Sequence, residues 1–258
     1  MTDAGVDLAL LIDAAREAGA LASNRLAAGV TVKAKPGGSP VTDADLAVDA
    51  LLQRRLIEAR PDYGWLSEET ADDPARLSKS RVFVVDPIDG TVAFFKNKPW
   101  WAVSIAVVEA GQPIAGVVYA PALDELYTAA MGQGAHLGGV RLQASAREAL
   151  EDAAVLGDAR VLAPPDWPVM RIAGRNSVAY RMCLVASGAF DAAIAPTSKN
   201  EWDLAAADLI AREAGALSTD VDGSPFDYNR PDTRRPSLVC AAPALHALIV
   251  ARLTRNSG

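Results

Sequence analysis

The segment from Val82 to Thr91 constrains this chain more than any other. Val82-Phe83-Val84-Val85 is a short, wholly apolar, β-rich run with the character of a buried strand. It leads directly into Asp86-Pro87-Ile88-Asp89-Gly90-Thr91. In α/β architectures ligands bind beyond the carboxyl ends of strands. Here the strand holds Asp86 rigidly, and Pro87 locks the backbone that follows. Gly90 permits a tight turn that leaves the Gly90 and Thr91 amides free to approach an anion such as phosphate. The plainer alternative for the hexapeptide is a strand-to-helix turn with aspartate caps.

Around this segment, 258 residues suffice for one large domain or two closely packed subdomains. Aromatic residues are only 6% while alanine is abundant, which predicts a core of small side chains on packed helices. Leu11, Ala14, Ala15, Ala18, Leu21 and Ala22 recur at helical spacing and predict a helix over 7–28 that stops at Gly29. The Pro- and Gly-rich stretch 33–40 reads as a mobile loop. Thr42 or Asp43 then caps a second helix that buries Val48, Leu51, Leu52 and Leu56 and ends at Pro61. Strands are expected at 82–85, 102–108, 114–119 and 126–130, and their tight turns imply an antiparallel sheet. Beyond 142 the pattern alternates: strand 153–156, helix 178–187, strand 192–195, helix 203–214, strand 238–241 and a helix from Pro243. The expected class is α+β or α/β, with an α+β subdomain over 1–141 and an α/β subdomain over 142–258.

Composition excludes several functions. With 25 Lys+Arg against 32 Asp+Glu the net charge is -7, which disfavours nucleic acid and anionic membranes. The longest basic cluster is Arg234-Arg235. Cys183 and Cys240 fit two core thiols in a reducing cytoplasm. No signal peptide pattern or apolar run of membrane-spanning length, about 18 residues, is present, so a cytoplasmic protein without a membrane partner is expected. Two histidines, His136 and His246, give little support to histidine-based catalysis or a histidine-rich zinc site.

Three further acidic elements accompany the hexapeptide. Trp65-Leu66-Ser67-Glu68-Glu69-Thr70 carries adjacent glutamates, Trp202-Asp203-Leu204-Ala205-Ala206 opens a helix, and Ser39-Pro40-Val41-Thr42-Asp43-Ala44-Asp45 places Asp45 in a first helical turn. Taken singly, each has a plain reading: solvated glutamates, an N-cap at Asp203, an acid favoured by the helix dipole at Asp45. Taken together, Asp45, Glu68, Asp86, Asp89 and Asp203 repel one another unless a cation intervenes. All-oxygen ligands point to Mg²⁺, with Mn²⁺ or Ca²⁺ as substitutes or inhibitors. Two or more such ions can polarise a phosphate and activate a bound water.

The Glu-Glu pair, Asp-Pro-Ile-Asp-Gly-Thr and Trp-Asp-x-Ala-Ala, in this order, resemble the inositol monophosphatase superfamily of Mg²⁺-dependent, lithium-sensitive phosphatases over nearly the whole chain. The resemblance implies a layered α-β-α-β-α sandwich of two subdomains (the sugar phosphatase fold) and two or three Mg²⁺ ions. It implies metal ligation by Glu68, Asp86, the Ile88 carbonyl, Asp89 and Asp203. Thr91 with Asp45 and Glu68 would orient the attacking water, and the Gly90 and Thr91 amides would hold the phosphate. The substrate would be a small phosphorylated metabolite, and a homodimer is in keeping with the family. Val92-Ala93-Phe94-Phe95 departs from the inositol phosphatase pattern. Gly116-Val117-Val118-Tyr119-Ala120-Pro121 and the segments around Glu68 and Asp45 look more like the branch that removes the 3′-phosphate of adenosine 3′,5′-bisphosphate. That branch is the expected one, with inositol monophosphatase, or a phosphatase of another sugar phosphate or of histidinol phosphate, as the alternative. Lys35 and Lys199 lie close to the acidic elements in sequence and are candidates for holding a second phosphate.

Two other classes compete. Haloacid-dehalogenase-like phosphatases also place acids after an apolar strand, but as Asp-x-Asp; the Asp86-x-x-Asp89 spacing disrupts that geometry. Asp220-Val221-Asp222-Gly223-Ser224 has the right letters and reads as a turn. A metal-dependent sensor of phosphate ligands is the non-enzyme alternative, disfavoured by the full ligand set and Thr91.

Overall fold

The computed structural model describes residues 3–35 and 37–255. In chain order the elements are α1 (Asp3–Ala28), β1 (Val32–Ala34), β2 (Pro40–Thr42), α2 (Asp43–Ala59), β3 (Gly64–Ser67), β4 (Arg81–Asp89), α3 (Thr91–Phe95), β5 (Ala102–Glu109), β6 (Gln112–Ala120), β7 (Glu125–Ala130), β8 (Ala135–Leu137) and β9 (Val140–Arg141). They continue with β10 (Ala154–Leu156), β11 (Arg171–Ala173), α4 (Val178–Ala186), β12 (Ala192–Ala195), β13 (Lys199–Asn200), α5 (Glu201–Glu213), β14 (Leu217–Thr219), β15 (Arg234–Arg235), β16 (Leu238–Ala241) and α6 (Pro243–Arg255). Among the described residues no helix is long and apolar enough to cross a membrane.

Strands β3 to β9 form one seven-stranded sheet in sequential order, antiparallel throughout except that β3 runs parallel to β4. A second sheet has the order β11-β10-β12-β16-β14, mixing parallel and antiparallel pairs. Strand alternation sends each sheet's side chains to two cores. Phe83, Val85, Ile105 and Val107 pack with Leu11, Ala15, Val48 and Leu52 of α1 and α2. Val82, Val84, Ala102 and Ala106 face the opposite way, toward α4 and α5. In the smaller sheet Ala193 and Cys240 join that second core, while Ile194 and Val239 pack with Leu245 and Ile249 of α6. The resulting layers are α1 and α2, the large sheet, α4 and α5, the small sheet, and α6: the expected α-β-α-β-α sandwich.

Small side chains allow the central layer its close approach. A Cβ on Gly116 of β6 would lie 2.9 Å from the Ala206 carbonyl oxygen and 3.1 Å from its Cα, so α5 rests directly against the sheet. We propose 1–141 and 142–258 as subdomains, because the large sheet ends at Arg141 and the small one begins at Ala154. They share the core between the sheets.

Several expectations need correction. The 33–40 stretch is no plain loop: β1 and β2 pair as a hairpin, with the Lys35 N–H donating to the Ser39 carbonyl at 2.8 Å. Pro36 lies outside the described residues. The strand expected to stop at Val85 continues through Asp89, past an irregularity in its pairing between Asp86 and Asp89. Leu51 is only half-buried. Asp203 is not an N-cap; Asn200 takes that position and Asp203 sits three residues inside it. Two expectations hold: Cys183 and Cys240 are free and buried, and Asp220–Ser224 forms a turn closed by the Asp220 N–H on the Ser224 carbonyl.

Candidate metal and phosphate site

Parallel pairing of β3 and β4 is what assembles the first acids. Ser67 lies opposite Val85, and the Glu68 N–H continues the ladder onto the Val85 carbonyl at 3.2 Å, so Glu68 emerges beside Asp86. The first turn of α5 adds Asp203. Carboxylate oxygens of Glu68, Asp86 and Asp203 all lie within 4.8 Å of one another. Asp89, at the end of β4, accepts hydrogen bonds from Ser177 Oγ at 2.5 Å and the Ala179 N–H at 2.7 Å.

Helix α2 begins at the same edge. Thr42 caps it, and Asp45 in return accepts from the Thr42 N–H at 2.8 Å, a reciprocal capping box. The other Asp45 oxygen lies 3.2 Å from Thr91 Oγ1, which is also 3.2 Å from the Ile88 carbonyl. Thr91 opens α3 after Gly90, whose φ of +94° is a left-handed conformation that favours glycine. The amides of Thr91 and Val92 have no partner within so early a helical turn. A cavity of about 180 Å³ is lined by Ser39, Glu68, Asp86, Asp89, Gly90, Thr91, Asn176 and Asp203 among others. A larger hollow of about 710 Å³ between α1 and the 95–101 segment holds Lys98 and no carboxylate. The clustered carboxylates line the smaller one.

Burial of so many acids is unfavourable. Burial pushes Asp203 up to about 8, helped by the charge of Asp89 and opposed by the Asn200 N–H. Asp86 is raised well above the carboxylate range, first by burial and then by Glu68, Asp89, Asp203 and Asp45. Asp89 rises to about 6 through burial, moderated by Ser177 and the α4 amides. Asp45 is raised by burial as well. An all-oxygen donor set whose members resist ionising side by side suits a hard divalent cation.

Both candidate lysines lie near these acids in different ways. The Lys35 ammonium bonds Glu68 at 2.8 Å and Glu69 at 2.7 Å. Burial pulls it down, but the two glutamates outweigh burial and leave it raised. Glu69 itself is pushed up to about 7 by burial, against the opposing effect of Lys35. Lys199 bonds Thr197 and the Ser198 carbonyl, and burial lowers its pKa although Asp203 and Asp89 act to raise it.

Sequence reasoning missed Ser177, Asn176 and Arg181. Ser177 caps α4 through the Tyr180 N–H at 3.0 Å, a helix-start signal legible at Asn176-Ser177. Arg181 lies in the field of Asp89 and Asp203, and burial lowers its pKa; no local pattern signals this.

The model of the inositol monophosphatase family matches residues 6–257. The inositol-1-monophosphatase of Rhizobium meliloti (strain 1021) is 36% identical over 195 residues, 71% of this chain and 73% of that protein. The histidinol-phosphatase of Mycobacterium tuberculosis (strain ATCC 25618 / H37Rv) is 37% identical over 233 residues, 84% and 88% of the two chains. The 3′(2′),5′-bisphosphate nucleotidase of Escherichia coli (strain K12) is 35% identical over 207 residues, 76% and 82%. Among solved structures, the extragenic suppressor protein suhB from Bartonella henselae superposes with a TM-score of 0.84 at 27% identity, over 96% of this chain and 98% of that one.

Proposed function

The chain belongs to the inositol monophosphatase family and is a phosphoric monoester hydrolase, and from that premise we propose that it cleaves a small phosphorylated metabolite with a water activated by Mg²⁺. The observation that carries this reading is the convergence of Glu68, Asp86 and Asp203 within 4.8 Å, beside the Thr91–Asp45 pair. Glu68, Asp86, Asp89, Asp203 and the Ile88 carbonyl are assigned to hold two or three ions. Bound there, Mg²⁺ supplies Lewis acidity at the phosphate and lowers the pKa of a coordinated water.

The chain's own residues do the rest. Thr91 has one hydroxyl proton and two acceptors at 3.2 Å, Asp45 and the Ile88 carbonyl; with that carbonyl given over to a metal ion, the proton would go to Asp45. Its lone pairs then accept from the attacking water, which Glu68 helps to orient. The Gly90–Thr91 turn offers backbone amides to the phosphate oxygens. Water adds to phosphorus, the ester P–O bond breaks, and the alcohol leaves with a proton while inorganic phosphate remains; no phospho-enzyme forms.

Within this class the proposed substrate is adenosine 3′,5′-bisphosphate. Lys199, half-buried beside Asp203 and Asp89, supports it as a contact for the second phosphate. Lys35 is better suited to balancing the Glu68-Glu69 pair. Phosphate release from adenosine 3′,5′-bisphosphate, inositol 1-phosphate and histidinol phosphate, with and without a chelator, tests both levels. Higher kcat/KM for either monophosphate discards the bisphosphate, and full activity after removal of divalent ions discards the metal-activated water. Lithium inhibition is the accompanying expectation from the family.

A further inference from the structure

Glu201 opens α5 two residues before Asp203, and its side chain is completely buried. Its oxygens accept from the backbone N–H of Asn229 at 2.6 Å and of Arg230 at 3.1 Å, and Arg235 Nη2 donates to Oε1 as an ion pair. The Glu201 N–H in turn donates to the Thr233 carbonyl at 2.9 Å, and β13 pairs antiparallel with β15. The same loop is held from its other side. Buried Arg76, in the turn after β3, donates to Asn229 Oδ1 at 2.7 Å and to the Arg230 carbonyl at 2.9 Å, while Asp72 pairs with it.

A helix dipole alone would be served by an exposed acid in the first turn. A carboxylate removed from water instead requires partners for its lone pairs, and here every one of those partners comes from the 229–235 loop. We infer that Glu201 is a positioning residue: by clamping that loop to the start of α5 it sets where Asp203 is presented to Glu68 and Asp86. Arg76 extends the clamp to the segment that follows Glu68, so one loop spans the two halves of the acidic site. This inference rests on the reading of Asp203 as a metal ligand.

Linkage makes the clamp testable in the unaltered protein, because a ligand that favours the ordered arrangement must also strengthen it. Hydrogen exchange is measured with and without Mg²⁺, alongside thermal melts and phosphate release. Mg²⁺ is expected to raise Tm and to slow exchange of the Asn229 and Arg230 amides. A raised Tm with unchanged exchange at both amides overturns the clamp. If Mg²⁺ neither stabilises the protein nor supports phosphate release, the metal reading itself fails, and the clamp with it.

Glu201→Gln and Arg235→Met supply the second arm. Each should weaken the Mg²⁺ dependence of activity and of Tm by about 10-fold, the low end for groups that orient metal ligands, with KM for the ester little changed. Asp7→Asn, which breaks an equally buried network with Arg60, Tyr63 and Arg81, should lower Tm without moving the Mg²⁺ dependence. Folded Glu201→Gln with a Mg²⁺ half-saturation within about 2-fold of wild type would reduce Glu201 to a structural anchor.

Discussion

Gly90 joins β4 to α3 at φ +94° and ψ 38°, and a Cβ added there would lie 2.9 Å from the Trp100 carbonyl oxygen, 3.0 Å from Ser177 N and 3.2 Å from Ser177 Cβ. Two costs therefore fall on Gly90→Ala. The left-handed backbone costs a residue with a β-carbon about 1–2 kcal/mol. Contacts this short against backbone atoms, which cannot rotate away, add about 1–3 kcal/mol as overpacking does. For a chain of this size each kcal/mol moves Tm by about 2–4 °C, so the combined ~2–5 kcal/mol should lower melting by roughly 4–20 °C. Gly132 separates the two costs: its φ is +74° and nothing lies within 4 Å of its added Cβ. Gly132→Ala should lose only the first part, roughly 2–8 °C. Calorimetric melts at one Mg²⁺ concentration, with kcat measured on the same samples, make the comparison. Because the displaced turn carries Asp89 and Thr91, kcat should fall in Gly90→Ala and hold in Gly132→Ala. Equal melts for the two variants would refute the contact term, and full kcat in Gly90→Ala would refute the role of the turn.

Asp203→Asn keeps the volume and an acceptor for the Asn200 N–H, so the fold should survive while kcat drops at least ~10²-fold, as for loss of one electrostatic stabiliser; wild-type kinetics would leave Asp203 a capping-box residue only. Ser177→Ala removes both the α4 cap and a hydrogen bond to Asp89, which should cost about 1–2 kcal/mol in urea melts. It should also lower kcat by about 10-fold, and unchanged kcat would confine Ser177 to capping. His246 is buried, bonds Thr219 Oγ1 at 2.8 Å, and burial pulls its pKa below 6.5. Its neutral form is therefore favoured in the folded state, so its contribution is present above the unfolded value and lost as pH falls through the folded one. The stability advantage of wild type over His246→Gln should shrink between about pH 8 and pH 5, and a constant difference would contradict this.

What the sequence revealed follows the range of the interactions involved. The β4 to β7 meander, α1, α2 and α5 are legible because hydrophobic period and turn residues act locally. The parallel partner of β4 is not: Gly64–Ser67 is four residues long, and it pairs with a strand that begins only beyond the Pro74–Ser78 turn. Pro40 and the glycines at 37–38 mask β1 and β2, which form only because two three-residue strands meet. The acids of the site stand out through their motifs, yet their neighbours do not. Ser177 reads as one more helix cap and Glu201 as one more first-turn acid, since the groups that give them a second task arrive from Asp89 and from Asn229–Arg235.

The placement of the acids shows how the fold tolerates them. An antiparallel β3 would carry Glu68 to the other end of β4 from Asp86, so the one parallel pair of the large sheet is what brings these two acids together. Each aspartate is then anchored through an oxygen: Asp45 on the Thr42 N–H, Asp86 on the Ile88 N–H at 3.0 Å, Asp89 on Ser177 and Ala179, and Asp203 on the Asn200 N–H at 2.8 Å. Asp45 and Asp203 use the same device, the third position of a capping box, where the positive end of a helix offsets part of the burial. One oxygen serves the fold and the other is left for the site. That division is why an asparagine can replace the structural half of such a residue without replacing its charge, and why stability and catalysis should separate at Asp203.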